Sequence, residues 1–283
     1  MTMRPRLLLL LATSTLIGCV DKTPAGIEVP QASLTMFDHA PHELGVRLVT
    51  RGGTTLDSPA LSYSVTPPGV VTMSPTGAAS CITNGDATAI VAGGGQSATV
   101  TLSCRIVASI GGPDSMRLVL GREPTSLDFR PLDGQGQPIP AAPLEVVSEN
   151  PAVAIVEGGI VRALGVGTTT LLARSGGVVL RVGVAIVEMI KSEPLVLADG
   201  ASITYTLQQG DYDLDLEVKP TDKRLTGVTV SWVGTSCLDA PEAQKHAVSC
   251  QVDGTASLTI TNPSVLGLGP AMTGYINLYR ARR

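Results

Sequence analysis

SENPAVAIVEGGIVRALGVGTTTLLARSGG, residues 148–177, decides how the chain is read. Its apolar positions come in short β-branched runs, and the runs are closed by the pairs Gly158-Gly159 and Gly176-Gly177. Its polar positions are Ser, Thr and Glu scattered between turns. Period-two runs bounded by glycine describe strands and tight hairpins, so the stretch is scaffold rather than chemistry.

The rest of the composition agrees. The chain has 283 residues, enough for two or three domains of about 100 residues each. Thirty-one Gly and twenty Pro against 16% charged residues imply many short strands with turns between them. With one Trp, five Tyr and two Phe, the cores must be built from Val, Leu, Ile and Ala. That suits β-sandwiches better than deep enzyme clefts. The expected fold is all-β: two tandem Ig-like sandwiches over residues 31–106 and 107–187, then a third sandwich over 188–283.

The amino terminus is read as a signal, residues 1–18, followed by an anchor and short linker, 19–30. Arg4 and Arg6 form a basic head, residues 7–17 are an apolar run, and the segment ends in Leu16-Ile17-Gly18-Cys19. Such a run suits export and is too short for a finished membrane helix. Leu16-Ile17-Gly18-Cys19 resembles the lipobox of bacterial lipoproteins. The resemblance implies cleavage before Cys19, a diacylglyceryl group on its thiol and acylation of the new amine. Two or more chains give stable anchoring, because each buried methylene contributes about 0.8 kcal/mol. Val20, where an Asp would favour inner-membrane retention in enteric bacteria, points to the outer membrane. The expected location is the cell envelope, and the expected membrane contact is the lipid.

Net charge is −4, and loss of Arg4 and Arg6 with the signal makes it more negative. An acidic chain without a basic run argues against nucleic acid as a partner. With Cys19 assigned to lipid, Cys81, Cys104, Cys237 and Cys250 remain. Four cysteines in an exported chain allow three disulfide connectivities, of which proximity within each domain favours Cys81–Cys104 and Cys237–Cys250. No pair has the C-x-x-C spacing of a zinc site.

An internal repeat sets the organisation. Residues 84–92, NGDATAIVA, align with residues 164–172, LGVGTTTLL, about eighty residues downstream. The same offset places Cys81 on Val161 and Cys104 on Val184. That period is the size of a seven-strand sandwich. Strand-like runs fall at 44–49, 61–65, 70–73, 88–92 and 97–106 in the first copy. The second copy has them at 127–130, 144–147, 153–156, 160–163, 168–173 and 178–187. Gly111-Gly112-Pro113 marks the expected hinge between the copies. Residues 133–139 (DGQGQPI), 148–156 (SENPAVAIV), 158–163 (GGIVRA) and Gly165-Val166-Gly167-Thr168 resemble the bacterial Ig-like domain found in tandem in invasin- and intimin-type adhesins. Residues 26–106 resemble it more loosely, with Pro67-Pro68-Gly69-Val70-Val71 in place of the Ser-Glu-Asn-Pro segment. The resemblance implies a sandwich fold and surface scaffolding or adhesion; the family carries no catalytic residues.

The third region has strand-like runs at 203–207, 212–218, 227–233, 247–252, 256–260 and 273–279. It is again a β-sandwich, with a jelly roll as one arrangement. Residues 210–216, GDYDLDL, are similar to secreted pre-peptidase C-terminal domains. Tyr205, Tyr212, Trp232, Tyr275 and Tyr279 lie here. Trp232, Tyr212, Tyr275 and Tyr279 are therefore the candidate ligand-stacking residues, with core packing the competing reading for Trp232 beside Val228 and Val230. Asp211, Asp213, Asp215 and Glu217 alternate with apolar residues, which puts four carboxylates on one face. Oxygen ligands of that kind suit calcium, and Asp211, Asp213 and Asp215 are the metal candidates, although a row does not converge as a coordination shell must.

Searches for catalytic motifs return nothing: there is no G-x-S-x-G, H-E-x-x-H or P-loop. Pro41 prevents His39 and His42 from sharing a helical face, and the glycine-rich runs do not open helices. The sequence thus predicts a non-enzymatic, cofactor-free envelope protein. Its C-terminal sandwich meets a glycan, the cell wall or a protein, or the chain is a structural subunit of an envelope assembly.

Overall fold

The computed structural model describes residues 22–56, 60–220, 227–263 and 269–281, and every regular element among them is a β-strand. Cys19 and the signal segment lie outside the described residues. Contacts divide the chain into one unit ending at Ile106 and another beginning at Val107.

The first unit holds β1 (Pro24–Glu28), β2 (Ser33–Met36), β3 (His42–Glu43), β4 (Arg47–Thr50), β5 (Ser62–Thr66), β6 (Val71–Met73), β7 (Ala78–Cys81), β8 (Gly85–Gly93) and β9 (Gln96–Cys104). One sheet runs β2-β9-β8-β5, a second β3-β7-β6, and β1 pairs with β4. β2 lies parallel to β9, and the other neighbours are antiparallel. Met36, Val71, Ala79, Ala89, Val100 and Leu102 fill the space between the sheets. Cys81 on β7 and Cys104 on β9 are joined by a disulfide with Cα atoms 5.8 Å apart, so the bond ties one sheet to the other.

The second unit opens with the same topology. Its strands are β10 (Ser109–Gly111), β11 (Ser115–Val119), β12 (Thr125–Ser126), β13 (Arg130–Leu132), β14 (Glu145–Ser148), β15 (Ala154–Glu157), β16 (Ile160–Ala163), β17 (Gly167–Ser175) and β18 (Val178–Leu197). β11-β18-β17-β14 answers β2-β9-β8-β5, β12-β16-β15 answers β3-β7-β6, and β10-β13 answers β1-β4. The register fixes the repeat. Ser33 pairs with Thr101 and Ser115 with Gly183, an advance of 82 residues on both strands. Gly85 and Gly167 share the same unusual backbone, φ 150° and 148°. The sequence alignment at eighty is therefore off by two, and Cys104 answers to Ile186, not Val184. A shift of two keeps each side chain on its own face, which is why the apolar pattern concealed it.

Local chemistry explains the elements. Gly158-Gly159 and Gly176-Gly177 each form a two-residue hairpin loop with φ at 58° and 78°, and at 51° and 78°. These are the positive values a type I′ turn demands and only glycine adopts without strain. Asn150 closes the turn before β15: its Oδ1 accepts from Ala152 N at 3.2 Å and its carbonyl from Val153 N at 3.0 Å. Leu171, Val182, Val184 and Ile186 are at most 2% exposed, each burial being worth about 1.5–3 kcal/mol. Gly112 is no hinge between the copies. It belongs to the second unit, and a Cβ there would meet the Phe129 ring at 2.4 Å.

β18 does not stop where the Ig-like copy stops. It continues through residues 188–197 as the first strand of the third sandwich, so the boundary expected at 187/188 falls inside one unbroken strand. The remaining strands are β19 (Ser202–Leu207), β20 (Gly210–Pro220), β21 (Val228–Val233), β22 (Ala240–Ala243), β23 (Lys245–Val252), β24 (Ala256–Thr261) and β25 (Met272–Ala281). They build two four-stranded sheets, β18-β25-β20-β23 and β19-β24-β21-β22. Numbered one to eight in chain order, the sheets read 1-8-3-6 and 2-7-4-5, the jelly-roll order. Leu207, Leu214, Leu216, Leu258, Ile260, Ile276 and Leu278 form its interior. Cys237 and Cys250 are also disulfide-bonded, tying the segment after β21 to β23.

Candidate functional site

The alternation of β20 sorts its residues into two sets. Tyr212, Leu214, Leu216 and Val218 point inward and are at most 3% exposed, whereas Asp211, Asp213, Asp215 and Glu217 face out. The register places Tyr279 beside Asp213, Asn277 beside Asp215 and Tyr275 beside Glu217 on one flank. Ser249 and Ala247 stand beside the two aspartates on the other. The outer face of this sheet thus carries carboxylates, an amide, hydroxyls and two phenols.

β11 of the Ig-like copy reaches this face. Arg117 donates to Asp213 Oδ2 at 2.6 Å, and its guanidinium lies 4.7 Å from the centre of the Tyr279 ring. A cation held between a carboxylate and an aromatic face is fixed in direction as well as position. Beside it, Arg280 donates to Glu188 at 2.6 Å, and that bond raises the Arg280 pKa further above its usual range. Along this seam lies a recess of about 510 Å³, lined by Arg117, Asp213, Asp215, Ala247, Ser249 and Tyr279. The small side chains of Ala247 and Ser249 leave the space open. A recess of about 580 Å³ in the Ig-like copy contains Asp128 and Arg130, which are bonded to each other at 2.7 Å. One of about 630 Å³ beside Arg51 has no carboxylate in its wall. The seam recess alone among these sets two carboxylates, a fixed guanidinium, a hydroxyl and a ring around one space.

The stacking candidates divide. Trp232 and Tyr212 are 8% and 2% exposed and belong to the jelly-roll core, so neither offers a ring to a ligand. The reason is parity: Trp232 is two residues from the inward Val230, and Tyr212 two residues from the inward Leu214. Tyr205 is also core, its hydroxyl donating to Glu193 at 2.9 Å. Burial first, and Glu193 second, raise its pKa well above the usual phenol range. Tyr275 is 44% exposed, and its hydroxyl joins Ser192 at 2.8 Å, which in turn donates to Asn277. Tyr279 stays at the surface, with Arg117 over its ring.

The metal candidates do not converge. Asp211, Asp213 and Asp215 project in a row, Asp213 is bonded to Arg117, and no group of three or more metal-ligating side chains gathers among the described residues. His39 and His42 are held locally, His39 Nδ1 at 2.8 Å from Cys81 O and His42 Nε2 at 2.8 Å from Asp38. Arg117 is the site residue that sequence reasoning missed. A lone basic residue in a five-residue strand carries no signal until β18 places that strand beside the jelly roll.

No protein-family model matches the sequence, and no curated protein matches it. Among solved structures the chain is similar to domains 4 and 5 of the S-layer protein SbsC, at 16% identity over 56% of this chain and 96% of that one, with a TM-score of 0.27. It is similar to the insect immune protein hemolin at 12% identity, 82% and 77% coverage and a TM-score of 0.34. The N-terminal four Ig domains of Dscam1 isoform 1.9 match at 13% identity, 90% and 77% coverage and a TM-score of 0.31. Likeness at this level says nothing of what the chain binds.

Proposed function

We propose that this is a non-catalytic, lipid-anchored protein of the bacterial cell envelope. Its invasin-type Ig-like domains present a jelly roll that binds a neutral saccharide in the seam recess. The observation that carries the reading is the recess itself. Asp213 and Asp215 accept hydrogen bonds from hydroxyls, Arg117 donates them, and Ser249 does both. Two carboxylates beside one guanidinium disfavour an anionic ligand and suit a polyol, whose hydroxyls are donors and acceptors together. The Cys19 anchor would place this surface at the outer membrane.

Binding of the full chain to an array of neutral and acidic glycans tests the reading. Neutral glycans are expected to bind, and Asp215→Asn, with Ala247→Phe as a filler of the recess, is expected to weaken binding at least tenfold with the melting temperature unchanged. Equal binding by both variants, or silence across the array, would refute the saccharide site.

A second reading has its own observation. Among the described residues, residues 188–197 of β18 pair on one side only, with β25, and so form a sheet edge on which another chain could add a strand. Recovery of a stoichiometric envelope partner after mild crosslinking would favour a structural subunit instead.

A further inference from the structure

Four residues along β25 from Tyr279, on the same outer face, stands a ring that the recess does not use. Tyr275 is 44% exposed, and it is the one exposed aromatic side chain among the described residues. Its hydroxyl lies 2.8 Å from Ser192 Oγ on β18, and Ser192 donates its own hydrogen to Asn277 Oδ1 at 2.9 Å. A serine hydroxyl has one hydrogen, so Tyr275 is the donor of the first bond, and the chain runs one way from phenol to serine to amide. Ser192 stands opposite Asn277, whereas Tyr275 stands opposite Pro194. The phenol therefore reaches diagonally across the sheet, and its ring lies over the strands instead of standing up from them. The oxygen of Asn277 is occupied by Ser192, which leaves its NH2 group to donate.

β20 joins these groups to the recess. Asp213 pairs with Tyr279, Asp215 with Asn277 and Glu217 with Tyr275. Leading away from the recess, the face offers two carboxylates, an amide donor and an aromatic face. The strip from Tyr279 to Tyr275 is about 13 Å long, at about 3.3 Å per residue. Arg117 covers the Tyr279 ring, so stacking along this strip is available at Tyr275 alone. Sugar chemistry matches that order. A pyranose carries hydroxyls at its edge, which bond to carboxylates and amides, and C–H bonds on its faces, which pack on the negative face of a phenol. A single pyranose is too short to touch both ends of the strip.

We propose that Asn277 and Tyr275 form a second subsite, and that the ligand is a linear neutral oligosaccharide with one unit in the recess and a later one stacked on Tyr275. The inference rests on the saccharide reading of the recess and adds to it the length and direction of the ligand. The Tyr275–Ser192–Asn277 hydrogen-bond chain sets the pose of the ring before any sugar arrives, so little ordering is left for binding to do.

Titration of the full chain, followed by NMR so that weak binding is read, tests it. The probes are glucose, mannose, galactose and N-acetylglucosamine, each as the single sugar and as linear chains of increasing length. Affinity is expected to rise about tenfold once a chain is long enough to reach Tyr275. Tyr275→Ala is expected to remove that rise and to leave single sugars bound as in the wild type, Asn277→Ala to reduce it, and Tyr275→Trp, which keeps a ring face, to retain it. Asp215→Asn is expected to weaken binding at every length. Affinity independent of length in the wild type, or a rise that survives in full in Tyr275→Ala or Asn277→Ala, would overturn the second subsite and leave the recess standing. Loss of single-sugar binding in Tyr275→Ala would also overturn it, since the ring would then act on the recess and not on a second unit. Silence of every probe would overturn both readings.

Discussion

Two copies of one topology, 82 residues apart, close their cores by different means and leave by different routes. The first copy packs small residues, Ala79, Ala87 and Ala89, and holds its sheets together with Cys81–Cys104. The second places Phe129, Leu171, Val182 and Ile186 in its interior, and its bulkier aliphatic core stands without a crosslink. The first copy's last strand, β9, ends at Cys104, while its counterpart β18 runs eleven residues past Ile186 into a new sandwich. Covalent and apolar closure are interchangeable within this scaffold. The exit strand determines what a copy is joined to.

Removing the crosslink should produce the largest effect. A loop closed across 23 residues is worth about 3 kcal/mol in the chain-entropy model, so Cys81→Ala with Cys104→Ala should lower the first copy's stability by that amount. Proteolysis during a denaturant titration should show early cleavage within residues 31–106 and an unchanged midpoint for the rest. Equal loss in both units would mean that the copies do not close independently.

The seam comes next. Arg117 stands where the first copy has Thr35, because both follow the same register. Its ion pair is half-exposed and its ring contact adds a little, so Arg117→Ala should cost about 1 kcal/mol, measured against Asp213→Ala in a double-mutant cycle. Thr35→Ala should cost less. The coupling energy, more than either single loss, separates a clasp from a chance contact.

The smallest effect is that of pH. The pairing of Leu216 with His246 turns the imidazole inward, its Nε2 is buried without a hydrogen-bond partner, and burial lowers its pKa. The neutral ring therefore contributes fully above the unfolded value of about 6.5. As pH falls through that value the unfolded chain takes up a proton that the folded one resists, and the contribution is lost. The Tm of the jelly roll should drop between pH 7.5 and 5 by more in the wild type than in His246→Gln. An equal drop would show that the ring is not in its way.

Much of this fold is legible in the residues. The β-branched runs between Gly-Gly loops give β15 to β18, and alternation gives both faces of β20. The entry strands escaped notice. β2 (SLTM) and β11 (SMRLV) are four and five residues long, too short for a period to emerge, and each is made a strand by a partner some 68 residues away. β12 and β13 replace the run expected at 127–130 for a related reason: Phe129 is drawn into the core between them. At the site, composition located the aromatic-bearing domain and offered Tyr212 and Trp232 as ligand candidates, whereas alternation with Leu214 and Val230 puts both rings on the buried face. The recess itself needs β18 to be continuous, which no local signal announces.

That continuity is the central claim, since it joins an Ig-like copy to the jelly roll and brings Arg117 to Asp213 and Tyr279. Amide hydrogen exchange along β18 tests it directly. Protection should continue across the junction, at Val187 and then at the alternate amides of 188–197 that face β25, while the outward amides of this edge exchange and Pro194 has no N–H to report. Fast exchange at Val187 and Glu188, with protected segments on either side, would mean two domains on a linker and would contradict the account.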